Sequence, residues 1–116
     1  MVPRESALVT VRNSLICIVS PMNSAEKITA VQIYDSKGSR LIKMFDERPL
    51  SVKRGECLPT FNFTFQPDSI YSIAWDITSR KKGHHLIAVE FTTTADAKGG
   101  LWVSEPTNSD DNSAAE

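Results

Sequence analysis

The sequence lacks the features that mark several large classes of protein. No apolar run approaches the roughly 20 residues of a membrane-spanning helix, and the longest, SLICIVSP at 14–21, has the length of a strand. Thirteen basic residues are matched by 14 acidic ones, giving a formal net charge of −1. This balance argues against a general binder of nucleic acid or of anionic membranes. The 116 residues suffice for one domain.

Catalytic motifs are missing as well. The chain has no Gly-x-Ser-x-Gly elbow, no Gly-rich loop with the Lys-Ser/Thr ending of a phosphate site, and no Cys-x-x-Cys pair. The paired carboxylates Asp46-Glu47 and Asp110-Asp111 fall in a turn and in the polar tail, where water solvates them. We therefore predict a protein that is not an enzyme and that takes no cofactor.

The N-terminal segment does not read as a secretory signal. It lacks a basic start, an unbroken apolar middle and a small-residue cleavage site. Two interpretations remain open: a cytoplasmic protein, or an exported one whose targeting segment has been removed.

What the sequence has instead is a series of short β segments separated by turn residues. In YSIAWDI, Tyr71, Ile73, Trp75 and Ile77 alternate with polar or small residues, so they share one face of a strand. The stretches TFNFTF, HLIAVEF and TAVQIYD alternate in the same way. Strands are predicted near residues 7–12, 14–20, 27–35, 40–46, 50–53, 60–66, 70–78 and 85–93, with a short ninth at 101–104.

This pattern predicts an all-β fold, an antiparallel β-sandwich of the immunoglobulin-like kind with seven to nine short strands. Residues 1–104 form the single domain, and the acidic tail 105–116 is predicted to be disordered. A turn followed by Tyr71 resembles the tyrosine corner of immunoglobulin-like folds. The alternative is that Tyr71 is only an aromatic residue of the strand.

The chain has two cysteines, Cys17 in a predicted core strand and Cys57 in the turn GECLP. They could be two buried thiols, since free cysteine behaves as a small hydrophobic residue. They could also form one disulfide, which the position of Cys57 in a turn held by Gly55 and Pro59 favours. A disulfide would indicate an oxidising compartment such as a periplasm.

The histidines, His84 and His85, are adjacent and would point to opposite faces of a strand. Such a pair does not readily share a metal ion, and no metal site is predicted. They close the basic cluster Arg80-Lys81-Lys82-Gly83-His84-His85, which is predicted to contact an acidic partner. The alternative is a solvated turn that protects the sheet edge. The loop 21–26 is a second candidate contact region.

Three stretches carry a family resemblance: EKITAVQIYDSKGSRLIKMFD, RPLSVKRGECLPTFNFTFQPDSIYSIAWDI and HHLIAVEF. Together with LICI around Cys17, they resemble the type VI secretion immunity lipoproteins of enterobacteria over residues 10–92. The turn GECLP followed by aromatic alternation is the most specific part. The lipid-attachment cysteine of that family has no counterpart in this sequence.

The resemblance implies a periplasmic, lipid-anchored protein that binds and neutralises a cognate secreted toxin. It implies no effector-contacting residues. The alternative function is a non-catalytic cell-envelope module that binds another envelope protein or a glycan.

Overall fold

The structure, a computed structural model, describes residues 4–45, 47–81 and 83–104. Lys82 and the predicted tail at 105–116 lie outside the described residues. Eight strands follow one another along the chain. They are β1 (Arg4–Ser6), β2 (Leu8–Arg12), β3 (Leu15–Val19), β4 (Lys27–Asp35), β5 (Arg40–Met44), β6 (Ile70–Ser79), β7 (Gly83–Ala95) and β8 (Leu101–Ser104).

The strands form two sheets. The larger sheet has the order β1-β7-β6-β4-β5, and β8 also pairs with β7, beside β1 along the same edge. The smaller sheet consists of β2 and β3. All pairs are antiparallel except β1 with β7, which is parallel. The predicted all-β sandwich is confirmed, with a parallel pair that the sequence did not indicate.

The core lies between the sheets, where the alternation of β6 and β7 places their apolar side chains. Tyr71, Ile73, Trp75 and Ile77 are buried, as the sequence predicts, and so are the inward residues of β7. In β4 the pairing register with β6 shifts between Ile28 and Ala30. Because of this bulge, Ile28 is buried together with Val31 and Ile33 in place of Thr29.

Two predicted strands are wrong. Leu50 makes only an isolated bridge to Ile28, and residues 60–66 are not a strand. Phe61 and Asn62 adopt positive φ angles of 54° and 59°, which form a turn. Phe61, Phe63 and Phe65 nevertheless pack against the core. The loop therefore directs alternate aromatics inward without pairing to a sheet.

Two aromatic residues tie the loop to the large sheet. The backbone N–H of Gln66 donates to the Tyr71 hydroxyl at 2.6 Å, which is the tyrosine-corner contact. The indole N–H of Trp75 donates to the carbonyl of Pro59 at 3.0 Å. Both side chains are fully buried, so each polar atom has the partner that a buried group requires.

Cys17 and Cys57 form a disulfide, with their Cα atoms 5.1 Å apart. The N–H of Leu58 donates to the carbonyl of Ile18, and Val19 forms an isolated antiparallel bridge with Cys57. The turn GECLP therefore lies beside β3, in the position that a third strand of the small sheet would take. The disulfide fits an extracellular or periplasmic location, where such bonds persist. None of the described residues belongs to a helix long and apolar enough to cross a membrane.

Candidate functional site

The predicted contact residues lie at one end of the large sheet, where β6 turns into β7. Arg80, Lys81 and His84 are exposed, and the structure places them at this hairpin. His85 is only 5% exposed. The prediction that His85 contacts a partner is therefore wrong, because strand alternation places it on the same inward face as Ile87.

The second predicted region, the loop 21–26, reaches the same end of the sandwich. It leads directly into β4, whose first residue, Lys27, pairs with Thr78 close to the hairpin. Glu26 is 3% exposed, and its Oε2 lies 3.1 Å from Nε2 of His85. The two regions that the sequence suggested separately thus form one continuous surface.

A third segment adds charge to this surface. The side-chain amine of Lys27 donates to the Ser51 hydroxyl at 2.7 Å, which places the segment 51–54 beside the loop 21–26. The exposed cations here are defined as the basic end; they are Lys27, Lys53, Arg54, Arg80 and Lys81. Two carboxylates border these segments: Glu56 is exposed, and the side chain of Glu5 on β1 is 41% exposed. Among these described residues, cations therefore outnumber carboxylates.

An apolar cleft of about 430 Å³ opens within the basic end. Met22 and Val52 line it together with Lys53 and Arg54. Met22 is 1% exposed, and its N–H donates to the Ser20 hydroxyl, which holds the loop in place. The surface therefore combines a small apolar floor with a cationic rim.

Behind the basic end, three side chains meet beneath the surface. Glu5 on β1 pairs in register with Ile87, which brings its Oε1 to 3.8 Å from Nε2 of His85. Together with Glu26, the three ligand atoms lie within 4.8 Å of one another. We call this set the His85 cluster: Glu5, Glu26 and His85. No residue near either histidine in the sequence indicated a partner, because this convergence depends on the parallel pairing of β1 with β7.

The outward face of the large sheet carries a second cleft. It has a volume of about 360 Å³ and a floor of small residues, including Ser72, Ala74 and Ala88. Exposed apolar side chains lie on the same face, among them Ile42, Met44 and Trp102, which are 52%, 67% and 63% exposed. No described residue of the smaller sheet covers this face.

The family model of DUF7480, a domain of unknown function, matches residues 4–96. The chain belongs to the DUF7480 family. No curated protein and no solved structure matches it.

The DUF7480 match covers the candidate features at the basic end. It includes β1 to β7, the disulfide, the basic end and the His85 cluster, whereas β8 begins after the matched range. This member of DUF7480 therefore has its candidate site within the family domain itself.

Proposed function

We propose that this chain is a periplasmic immunity protein that binds and neutralises a cognate type VI secretion toxin, and that the basic end is the contact surface. In its full-length form it is lipid-anchored, as the resemblance implies. The observation that carries the proposal is the convergence of the hairpin at Arg80, the loop 21–26 and the segment 51–54 on one cationic surface.

The surface has the rigidity that binding without catalysis requires. Two hydrogen bonds between Asn23 and Glu26 close the loop 21–26. The N–H of Asn23 donates to Oε1 of Glu26, and the N–H of Glu26 donates to the carbonyl of Asn23. Ser20 accepts at its hydroxyl and anchors the loop start. A loop that is ordered before binding loses less conformational entropy in the complex.

The charge of the surface specifies the kind of partner. The basic end has five exposed cations, two of which, Lys53 and Arg54, line an apolar cleft. This arrangement suits an acidic surface with an apolar side chain on the toxin. Such charges raise the association rate by about 10-fold or more at low salt. Fast association suits an immunity protein, because it must meet the toxin before the toxin reaches its target.

The disulfide supports the proposed periplasmic location. Cys17 and Cys57 are joined across 40 residues, and such a bond persists in an oxidising space such as the periplasm. A toxin delivered into the periplasm would meet its immunity protein there.

The test measures binding to a candidate toxin, taken as any secreted protein whose gene lies beside the gene of this chain. Arg80→Glu/Lys81→Glu reverses two charges of the basic end, and Arg40→Glu/Lys98→Glu reverses two exposed charges at the opposite end of the large sheet. We expect the first variant to lower the association rate about 10-fold and to weaken its salt dependence, with the control unchanged. Equal binding by both variants would remove the basic end as the contact surface.

The second candidate, an envelope interaction module, is favoured by the uncovered outward face of the large sheet. Ile42→Lys/Met44→Lys places charges on that face without touching the core. Loss of toxin binding in this variant, with the basic-end variant intact, would move the contact to the sheet face. A different result would favour the envelope interaction module. The wild-type chain would bind no toxin but would bind a component of an envelope extract, and Ile42→Lys/Met44→Lys would abolish that binding.

A further inference from the structure

We propose that the His85 cluster is a binding site for a divalent transition-metal ion, with Zn²⁺ the ion whose ligand preferences it fits best. The ligand atoms are Nε2 of His85, Oε2 of Glu26 and Oε1 of Glu5. This inference does not depend on toxin binding, because it concerns side chains beneath the basic end.

The spacing of the ligand atoms suits a small tetrahedral ion. Zinc binds imidazole nitrogen and carboxylate oxygen at about 2.0–2.2 Å, so tetrahedral ligands lie about 3.3 Å from one another. Nε2 of His85 is 3.1 Å from Oε2 of Glu26 and 3.8 Å from Oε1 of Glu5. Imidazole nitrogen and carboxylate oxygen are both ligand types that zinc binds, so the cluster supplies three ligands and leaves the fourth tetrahedral position open.

The cluster contains buried polar atoms that hydrogen bonds do not explain. Among the described residues, Oε2 of Glu26 and both ring nitrogens of His85 have no hydrogen-bond partner, although Oε2 and Nε2 are only 3.1 Å apart. Buried polar atoms almost always have partners. A cation between the three side chains would satisfy Oε2 and Nε2 together, leaving Nδ1 to carry the ring proton.

The charges of the cluster also favour a divalent cation. With neutral His85, the cluster carries two negative charges, and Glu26 is 3% exposed. Burying an unpaired carboxylate is costly, and a divalent cation neutralises both carboxylates at once. Protonation of His85 would neutralise only one of them.

The surrounding structure orients the two carboxylates of the cluster. The N–H of Asn23 donates to Oε1 of Glu26 at 2.9 Å, which leaves Oε2 directed at His85. Glu5 is fixed by the pairing of β1 with β7. Because its side chain is 41% exposed, it also provides the route by which an ion reaches the cluster and a position for water as the fourth ligand.

The experiment titrates Zn²⁺ into the untagged, chelator-treated full chain by isothermal titration calorimetry, with thermal unfolding measured in parallel. We expect one equivalent of Zn²⁺ to bind and to raise the unfolding midpoint. Glu5→Gln should lower the affinity at least about 10-fold. Because Glu5 is partly exposed, this variant should unfold like the wild type when Zn²⁺ is absent.

Two matched controls separate the cluster from surface binding. Glu90→Gln makes the same change on the outward face of β7, and His84→Gln removes the exposed neighbour of His85. Both should bind Zn²⁺ as the wild type does, whereas His85→Gln should not. The proposal is overturned if the wild type takes up no Zn²⁺ at 100 µM, or if Glu5→Gln and His85→Gln bind as tightly as their controls.

Discussion

Removal of the disulfide should cost this fold a large part of its stability. The bond joins Cys17 and Cys57 across a sequence separation of 40. In the chain-entropy model a loop of this length loses about 13 cal/mol/K in the unfolded state, which is about 4 kcal/mol at 25 °C. Domains of this size are stable by only about 5–15 kcal/mol, so the loss is severe.

The measurement is urea unfolding of Cys17→Ala/Cys57→Ala beside the oxidised wild type. The free energy of unfolding should fall by about 4 kcal/mol, and the thermal midpoint by about 15–20 °C. Wild-type protein unfolded in reductant is the matched control, because it loses the bond but keeps both side chains. A fall of less than about 1 kcal/mol in both samples would refute the reasoning.

Two further predictions concern the contacts that hold the aromatic loop on the sheet. Tyr71→Phe leaves the N–H of Gln66 without its acceptor and should lower the free energy of unfolding by about 1–3 kcal/mol, with an unchanged urea m-value; an unaltered midpoint would contradict the tyrosine corner. Trp75→Phe removes the donor to Pro59 and leaves a cavity, so we expect a loss of about 2–4 kcal/mol, measured the same way. Trp102→Phe, at a residue 63% exposed, is the control and should change stability by less than about 0.5 kcal/mol.

The strands that were predicted best from the sequence are those in which only one face is apolar enough to pack against the core. In β6, shifting the register by one residue would expose Tyr71 and Trp75 and bury Asp76, so the pattern alone specifies the inward face. The same argument holds for β7 from Ile87 to Phe91.

The loop at 60–66 shows why the same pattern failed elsewhere. Its alternating phenylalanines are partly buried against the core, on the side that a strand would turn inward. Phe61 and Asn62, however, adopt left-handed conformations that no alternation reveals. A period of two reports which side chains face the core. It does not report whether a neighbouring strand is available to pair with the backbone.

The candidate site was predictable only in part. The exposed basic turn at Arg80 and Lys81 follows from composition and turn chemistry. The burial of His85 follows from alternation, since His85 begins the predicted strand 85–93 on the same face as Ile87. The approach of Glu5 and Glu26 could not be predicted, since both lie far from His85 in sequence and meet it only through strand pairing and a loop.

The most direct test of the proposed function is a growth assay. A candidate toxin, taken from the genes beside that of this chain, is directed to the periplasm of a host, with this chain either exported beside it or retained in the cytoplasm. Rescue is expected from the exported chain alone, and it should be weakened by Arg80→Glu/Lys81→Glu but not by Arg40→Glu/Lys98→Glu. Toxicity that persists with the exported, folded wild-type chain would contradict immunity against this toxin.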